Sequence, residues 1–186
     1  GLKAKKGKFS IFGNHDYADY GMMPEEKRLA SRKRLVEIHD EMGFKLMMNE
    51  GVELERGGQK IGLLGVENWG KGFRQSGDLK KAKAGVNGTD FNILLTHDPT
   101  HWEEEVLAKE KIQLTLSGHT HGMQMGVEIP ALNIKFSPAR LRYKRWGGLY
   151  QEGKQFLHVN RGFGFIGFPG RVGMPPEITF IELKKA

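Results

Sequence analysis

This 186-residue chain has no cysteine, which excludes disulfides and thiolate metal sites, so any metal must be held by His, Asp, Glu, Asn or backbone oxygen. The length allows one domain with a sizeable core, and a formal charge of +7 favours anionic partners such as phosphate esters, nucleic acid or an acidic membrane surface. No apolar run approaches the roughly 20 residues that cross a bilayer, so the composition is that of a soluble protein.

The first half of the sequence predicts a strand, a helix and a hairpin. The stretch KFSIFG (8–13) is typical of a short buried strand. From Pro24 to Met42 the pattern is helical, with one broad apolar face made of Leu29, Leu35, Val36, Ile38 and Met42. Gly57 and Gly58 separate two alternating runs and therefore predict the turn of a hairpin. A short helix is expected around Leu79–Ala84.

Further along the chain, two predicted strands run directly into histidines. DFNILLTHD (90–98) is a strand that Pro99 prevents from continuing. THWEEEVLAKE (100–110) predicts a helix with Thr100 as its N-cap. KIQLTLSGHTHG (111–122) is a second strand of the same kind.

The last third predicts an irregular segment from 123 to 148, followed by strands at KQFLHVN (154–160) and EITFIEL (177–183). The loop at 161–176 contains several aromatic residues, which either form an apolar lip beside a site or pack under the sheet. Because strands are interleaved with helices, the sequence predicts an α/β or α+β layered domain.

Three of these strands end in residues that bind metals or handle protons. If the strands are neighbours in one sheet, their ends meet at one edge, where ligands of α/β sheets commonly gather. The residues concerned are Asn14, His15, His97, His119 and His121. A single histidine at a strand end is more often structural, and GNHD alone can form an Asx-type turn. The joint occurrence at three strand ends favours a metal or phosphate site.

The remaining histidines are assigned no role in this site. His39 lies in the apolar face of the predicted helix and His158 lies within a strand, so both are interpreted as structural. His101 follows Pro99 at a helix start and is expected to face solvent. The run ARLRYKRW (139–146) mixes aromatic residues with four cations, which is typical either of a phosphate or lipid-headgroup site or of a solvated face.

The motifs GNHDY, LLTHDP and LSGHTHGMQ, with the closing RGFGFIGFPGRVGMPPEITFIEL, resemble the calcineurin-like metallophosphoesterases, and among them the bacterial phosphodiesterase branch. Some members of that branch are membrane-tethered, and some cleave nucleotide-linked lipid A precursors. The resemblance runs from about Phe9 to the C-terminus and implies an α/β fold, a metallo-dependent phosphatase-like layered β-sandwich flanked by helices. It also implies two divalent ions, Mn, Fe, Zn or Mg, which activate a bridging water for attack on phosphorus.

Carried over by motif, the metal ligands are Asn14, His97 and His119 for one ion and His121 for the other. The departure from the family is at the start. The family's first two blocks, Asp-x-His and Gly-Asp-x-x-Asp, have no counterpart in GLKAKKGKFSIF. The sequence thus resembles the C-terminal part, over residues 1–186, of a single domain that is incomplete on its N-terminal side. We expect at most one ion here, and either self-association or a bound N-terminal portion as partner.

The resemblance also implies roles around the substrate. His15 would contact the scissile phosphate and protonate the leaving oxygen, and Asp16 would orient His15 by accepting its second ring N–H. Arg161 is a candidate phosphate contact.

The leading hypothesis is metal-dependent hydrolysis of a phosphodiester or pyrophosphate in a phosphorylated small-molecule or lipid-linked substrate, with this chain alone inactive or weakly active. Nucleic acid is not an expected partner in that hypothesis, and an upstream segment would associate the parent protein with a membrane. The alternative is a catalytically silent module that binds anions or nucleic acid, which the net charge and the absent bridging Asp favour.

Overall fold

The computed structural model describes residues 2–132 and 134–184 and contains helices, short 3-10 turns and strands. The α-helices are α1 (Glu25–Glu41) and α2 (Leu79–Lys83). The strands are β1 (Phe9–Ser10), β2 (Lys45–Leu46), β3 (Glu50–Arg56), β4 (Gln59–Gly65), β5 (Phe91–Leu95), β6 (Leu114–Ser117), β7 (Val127–Ile129), β8 (Ile134–Phe136), β9 (Gly148–Glu152) and β10 (Gln155–Val159).

A six-stranded mixed sheet in the order β3-β4-β5-β6-β10-β9 forms the centre of the molecule. Strands β4, β5, β6 and β10 run parallel to one another, whereas the outer strands β3 and β9 are antiparallel to β4 and β10, respectively. Leu95 of β5 lies in register with Leu116 of β6, so the segments that follow both strands leave the sheet at the same edge. The α/β prediction is confirmed, and the hairpin turn at Gly57 and Gly58, both with positive φ, is where the sequence predicted it.

A second, smaller layer packs on this sheet and holds the start of the chain. Strands β1 and β2 form a parallel pair, with Phe9 opposite Lys45. Phe12 and Met47 follow these strands and are fully buried. Gly65 of β4 has no side chain, which leaves room for the Met47 side chain beside the sheet. This layer fixes the position of the turn that begins at Asn14.

The core beneath the sheet is aliphatic around one tryptophan. Leu94 and Leu157 from the sheet pack with Trp102 and Val106, all with no exposed surface. Trp102–Val106 forms a π-helical segment where the sequence predicted an ordinary helix. The predicted cap is also wrong, because the Asp98 carboxylate accepts hydrogen bonds from the Thr100 backbone N–H (2.8 Å) and hydroxyl (2.7 Å).

Three further expectations are wrong. Helix α1 (Glu25–Glu41) matches the predicted range to within one residue at each end but fully buries no residue: Leu35 and Ile38 are half-buried, and Leu29 is 60% exposed. Residues 177–183, expected to be a strand, form no strand and pair with none among the described residues. His101 is buried, 1% exposed, because its ring stacks on Trp69 with 4.9 Å between ring centroids and its Nδ1 lies 2.9 Å from the Thr96 hydroxyl.

Strand β2, the edge strand β9 and the small β7–β8 hairpin, which lies inside the segment expected to be irregular, were not predicted. Among the described residues, no helix has both the length and the apolar character needed to cross a membrane.

Candidate metal centre

Side chains from three strand ends converge at the edge of the sheet. Asn14 opens the 3-10 turn Asn14–Tyr17 behind β1, His97 follows β5, and His119 follows β6. Asn14 Oδ1 lies 2.8 Å from His97 Nε2 and 3.0 Å from His119 Nδ1, and these two nitrogens are 3.1 Å apart. We call these three atoms the donor cluster. The convergence that the sequence predicted for these three residues is therefore present.

The donor cluster has the chemistry and spacing of a metal site. Donors at about 2.1 Å from a tetrahedral ion lie about 3.4 Å from one another, close to the separations found here. Burial, with a smaller effect of the neighbouring His119, lowers the pKa of His97 to about 3. Burial also lowers the pKa of His119, and the nearby Asp98 partly opposes this. Both imidazoles are thus neutral near pH 7, the form that binds metals.

The cluster consists of two imidazoles and one amide. Within residues 2–132 and 134–184, no group of three or more His, Asp or Glu side chains is arranged to hold a metal ion. A cation placed among the three donors would therefore meet no carboxylate from the cluster itself.

The turn that carries Asn14 is fixed by its neighbours. The Asn14 amide nitrogen donates to the Tyr20 hydroxyl (2.8 Å), which directs the amide oxygen toward the histidines. The Asp16 carboxylate accepts from the Gly13 backbone N–H (2.7 Å) and closes the turn. Gly13 itself lies against the face of the His97 ring, where a Cβ atom would come within 2.7 Å of Cε1. The absence of a side chain at residue 13 therefore allows the close approach of His97.

The second ring nitrogen of His119, which faces away from the donor cluster, also has contacts. This atom, Nε2, lies 2.7 Å from the Tyr143 hydroxyl and 3.3 Å from Asp98 Oδ2. Asp98 is fully buried, and burial together with the Asp98 charge raises the pKa of Tyr143 to about 12. Tyr143 therefore keeps its hydroxyl hydrogen at any pH the protein meets.

His121 lies in a strained segment behind His119. His119, His121 and Met123 all have positive φ (67°, 51° and 47°), a conformation that is costly for residues other than glycine. The His121 Nδ1 atom is buried and has no hydrogen-bond partner in the part of the chain described. Burial, with a smaller contribution from Arg171, lowers the pKa of His121. His121 therefore lines the same cavity as the donor cluster and has an unpaired ring nitrogen.

An open cavity of about 990 Å³ lies in front of these residues. His15 is exposed on its wall and contacts the Tyr20 ring, with 4.7 Å between the ring centroids. The one hydrogen bond found for the Asp16 carboxylate in the described chain goes to Gly13, so the structure does not bring Asp16 to the His15 ring.

The structure does not bring Arg161 to the cavity. Its guanidinium pairs with Glu177 (2.6 Å) and Glu128 (2.7 Å), which holds it on another side of the loop. Arg142 lines the cavity instead, with its guanidinium 4.7 Å from the Phe73 ring centre. Arg142 is exposed and forms no ion pair with any residue that the structure describes.

The segments 139–146 and 161–176, for which the sequence left two interpretations each, both contain core residues and cavity-lining residues. In 139–146, Tyr143 and Trp146 are buried while Arg142 is exposed. In 161–176, Met174 is buried, whereas Phe165 is 64% exposed and lines the cavity with Ile166 and Phe168. Both segments thus contribute to the cavity wall.

Comparison with known proteins agrees with this geometry. The family model described as calcineurin-like phosphoesterase matches residues 2–123, which is more than half of the chain. The chain belongs to the calcineurin-like phosphoesterase family.

The curated relatives carry the same description. YkoQ of Bacillus subtilis, named an uncharacterized metallophosphoesterase, is 28% identical over 184 residues, which cover 98% of this chain and 62% of the relative. A metallophosphoesterase of Helicobacter pylori is 31% identical over 98% of this chain and 44% of its own length. A protein of Bos taurus named transmembrane protein with metallophosphoesterase domain is 30% identical over 100% of this chain and 40% of its own length.

The chain therefore spans less than two thirds of the length of these relatives. No solved structure matches it.

In this calcineurin-like phosphoesterase chain, sequence reasoning missed Asp98 and Tyr143. Asp98 was visible in the THDP motif directly after His97, but its link to His119, 21 positions later, depends on the pairing of β5 with β6. Tyr143 lies in a basic run, where the pattern of charges gave no sign that its hydroxyl turns inward to His119.

Proposed function

We propose that this chain forms the metal-binding side of an active site that hydrolyses phosphodiester or pyrophosphate bonds. The observation that supports it is the meeting of Asn14, His97 and His119 at one edge of the sheet, with donor atoms 2.8–3.1 Å apart. The parent enzyme would contain two divalent ions, of which this chain alone holds at most one. The metallophosphoesterase names of the relatives support hydrolysis as the reaction, and the substrate is part of our proposal.

In this proposal the donor cluster holds one ion, and His121, with its unpaired Nδ1, contributes to the second. Divalent ions bound there supply Lewis acidity for the attack of water on phosphorus. The chain's own contribution is to keep three neutral donors in place without a rearrangement on binding. Gly13, Tyr20 and the strained turn at His119 provide that rigidity.

In this proposal, His15 donates a proton to the leaving oxygen. It stands on the cavity wall immediately after Asn14, and its exposed ring is free to contact a phosphoester at the donor cluster. Asp16 then acts by closing the turn that carries both residues, through its hydrogen bond to Gly13.

Arg142 is the proposed contact for the substrate's anionic oxygens. A cavity of about 990 Å³ is much larger than a phosphate group, so an organic substituent also fits. The wall formed by Phe165, Ile166 and Phe168 suits an apolar or aromatic substituent. These features favour a phosphodiester or pyrophosphate with a sizeable organic group over a simple monoester.

The test is hydrolysis of bis(4-nitrophenyl) phosphate by the purified chain with and without Mn²⁺, followed by the release of nitrophenolate. We expect slow, Mn²⁺-dependent turnover that EDTA removes and that His119→Ala lowers at least tenfold. His39→Ala is the matched control, because His39 lies on α1 and bonds Ser10 (2.8 Å), and it should retain the rate. A rate that is independent of Mn²⁺, or equal in His119→Ala and the unaltered protein, would contradict the proposal.

The two arginines provide a separate prediction. Arg142→Gln is expected to raise KM about tenfold with little change in kcat, because a hydrogen bond to a charged group contributes about 1.5 kcal/mol or more. Arg161→Gln is expected to leave KM unchanged and to lower the melting temperature, since it breaks partly buried ion pairs with Glu128 and Glu177. Steady-state kinetics and thermal unfolding of both variants check this, and a KM effect of Arg161→Gln equal to that of Arg142→Gln would contradict it.

A further inference from the structure

The two nitrogens of the His119 ring face different surroundings. Nδ1 faces Asn14 Oδ1 and His97 Nε2, at 3.0 and 3.1 Å, and Nε2 faces the Tyr143 hydroxyl and Asp98 Oδ2, at 2.7 and 3.3 Å. A neutral imidazole carries one hydrogen, on one of these two atoms. Only when that hydrogen is on Nε2 does Nδ1 present a lone pair to the donor cluster.

Asp98 is built to accept that hydrogen. One of its oxygens, Oδ1, already receives two hydrogen bonds from Thr100, which fix the carboxylate plane. The other, Oδ2, is fully buried, points toward Nε2 and has no hydrogen-bond partner within the described residues. Gly70 packs so closely against Oδ2 that a side chain there would displace the carboxylate. An acceptor left unsatisfied in the interior is costly, so a donor at Nε2 is favoured.

Tyr143, in the segment before β9, supports the same orientation. It is buried, its ring stands edge-on to the His119 ring with 5.4 Å between centroids, and its hydroxyl is the nearest polar atom to Nε2. The ring of Phe73 packs on His119 in the same edge-on manner, at 4.9 Å. These contacts restrain the orientation of the imidazole.

We propose that Asp98 and Tyr143 are positioning residues that keep the hydrogen of His119 on Nε2 and thereby direct the Nδ1 lone pair at the ion. The proposal rests on the proposed function, because it assigns Nδ1 of His119 as a metal ligand. Both residues face Nε2 of His119, on the side of the ring away from the donor cluster. Partners of this kind typically account for a 10–100-fold difference in metal affinity.

The first measurement is the tautomer of His119 in the metal-free protein, by long-range ¹H–¹⁵N NMR of the histidine side chains, with His119→Gln used to assign the signal. We expect the hydrogen on Nε2 in the unaltered protein. In Asp98→Asn, whose amide can donate to Nε2, we expect it on Nδ1.

The second measurement is Mn²⁺ affinity by calorimetry. Asp98→Asn is expected to bind Mn²⁺ 10–100-fold more weakly and Tyr143→Phe up to about tenfold more weakly than the unaltered protein. Asp78→Asn is the matched control, because Asp78 also accepts a backbone N–H at a helix start (Lys81, 2.8 Å) but lies outside the cavity. Tyr150→Phe is the matched control for Tyr143→Phe, because the Tyr150 hydroxyl accepts from the Trp146 and Gly147 backbone N–H groups (3.2 and 3.3 Å) and Tyr150 lies outside the cavity. Both control variants should bind Mn²⁺ within twofold of the unaltered protein.

The hydrogen on Nδ1 of the unaltered protein, or affinities of Asp98→Asn and Tyr143→Phe within twofold of it, would overturn the positioning role. If Asp98→Asn does not fold, the Mn²⁺ affinity of Tyr143→Phe and the His119 tautomer of the unaltered protein test the positioning role instead. Absence of any Mn²⁺ binding by the unaltered protein would overturn the proposed function instead, and the tautomer measurement would then decide the positioning role alone.

Discussion

Gly13→Ala is expected to lower the Mn²⁺-dependent hydrolysis rate about 100-fold while the chain stays folded. The added Cβ atom would lie 2.7 Å from His97 Cε1 and 2.9 Å from Nε2, so the imidazole and residue 13 must move apart, which disturbs the donor cluster that both adjoin. A displacement of about 1 Å in a reacting site is enough for a loss of this size. The backbone of Gly13 (φ −102°, ψ −179°) is extended and open to any residue, so the whole effect is steric.

The control for this variant is Gly21→Ala. Gly21 lies in the same connection before α1, and a Cβ atom there meets nothing within 4 Å, so its rate should be unchanged. Calorimetry should show a matching loss of Mn²⁺ affinity in Gly13→Ala, and circular dichroism should show that both variants are folded. A folded Gly13→Ala protein with the rate and Mn²⁺ affinity of the unaltered chain would mean that His97 is not held against this residue.

The free energy of unfolding in EDTA is expected to fall as the pH is lowered from 7 to 4.5, in part because of His101. Burial lowers the pKa of His101 from 6.5 to about 4, so between these values the unfolded chain takes up a proton that the folded chain does not. Stability therefore rises with pH through this window, and the contribution is complete above pH 6.5. The size expected from His101 alone is on the order of 2 kcal/mol.

His101→Asn tests this directly. The shorter amide can still reach the Thr96 hydroxyl but cannot be protonated, so the variant is less stable at pH 7 and loses less on acidification. The stability difference from the unaltered protein, measured by urea unfolding, should shrink by about 2 kcal/mol between pH 7 and pH 4.5. Val106→Ala, buried in the neighbouring π-helical segment, removes no titratable group and should show the same deficit at both pH values. A constant deficit in His101→Asn would show that this histidine does not titrate abnormally.

The local elements could be predicted from the sequence, and their surroundings could not. Helix α1 and the β3–β4 hairpin follow from end signals and periodicity that lie within a few residues. Whether the apolar side of α1 is buried depends on what packs against it, which periodicity does not encode. His101 was misjudged for the same reason, because Trp69, 32 positions earlier, covers its ring. Residues 177–183 alternate as a strand does, but alternation does not supply a partner.

The same distinction applies to the site: some of its residues could be predicted from the sequence, and others depend on the tertiary structure. His97 and His119 could be placed together because they follow the neighbouring parallel strands β5 and β6, whose ends share an edge. Asn14 follows β1 of the separate two-stranded sheet, so its place beside them depends on how the two sheets pack. Arg161 and Arg142 could not be told apart, since both are cations in Gly- or Arg-rich loops. What separates them is that Glu128 and Glu177 neutralise the first, a contact between residues 16 and 33 positions apart. Side-chain pairing at that range is set by the tertiary structure.

The donor cluster joins parts of the chain that are distant in sequence, with Asn14 separated from His97 by 83 positions and from His119 by 105. Closing loops of this length costs conformational entropy that is recovered only when the sheet is complete. In the unfolded chain the three donor residues are therefore far apart and do not form a single binding site for a cation. If the donor cluster binds an ion as proposed, ion binding and folding are linked equilibria, and Mn²⁺ is expected to slow proteolysis of the folded chain.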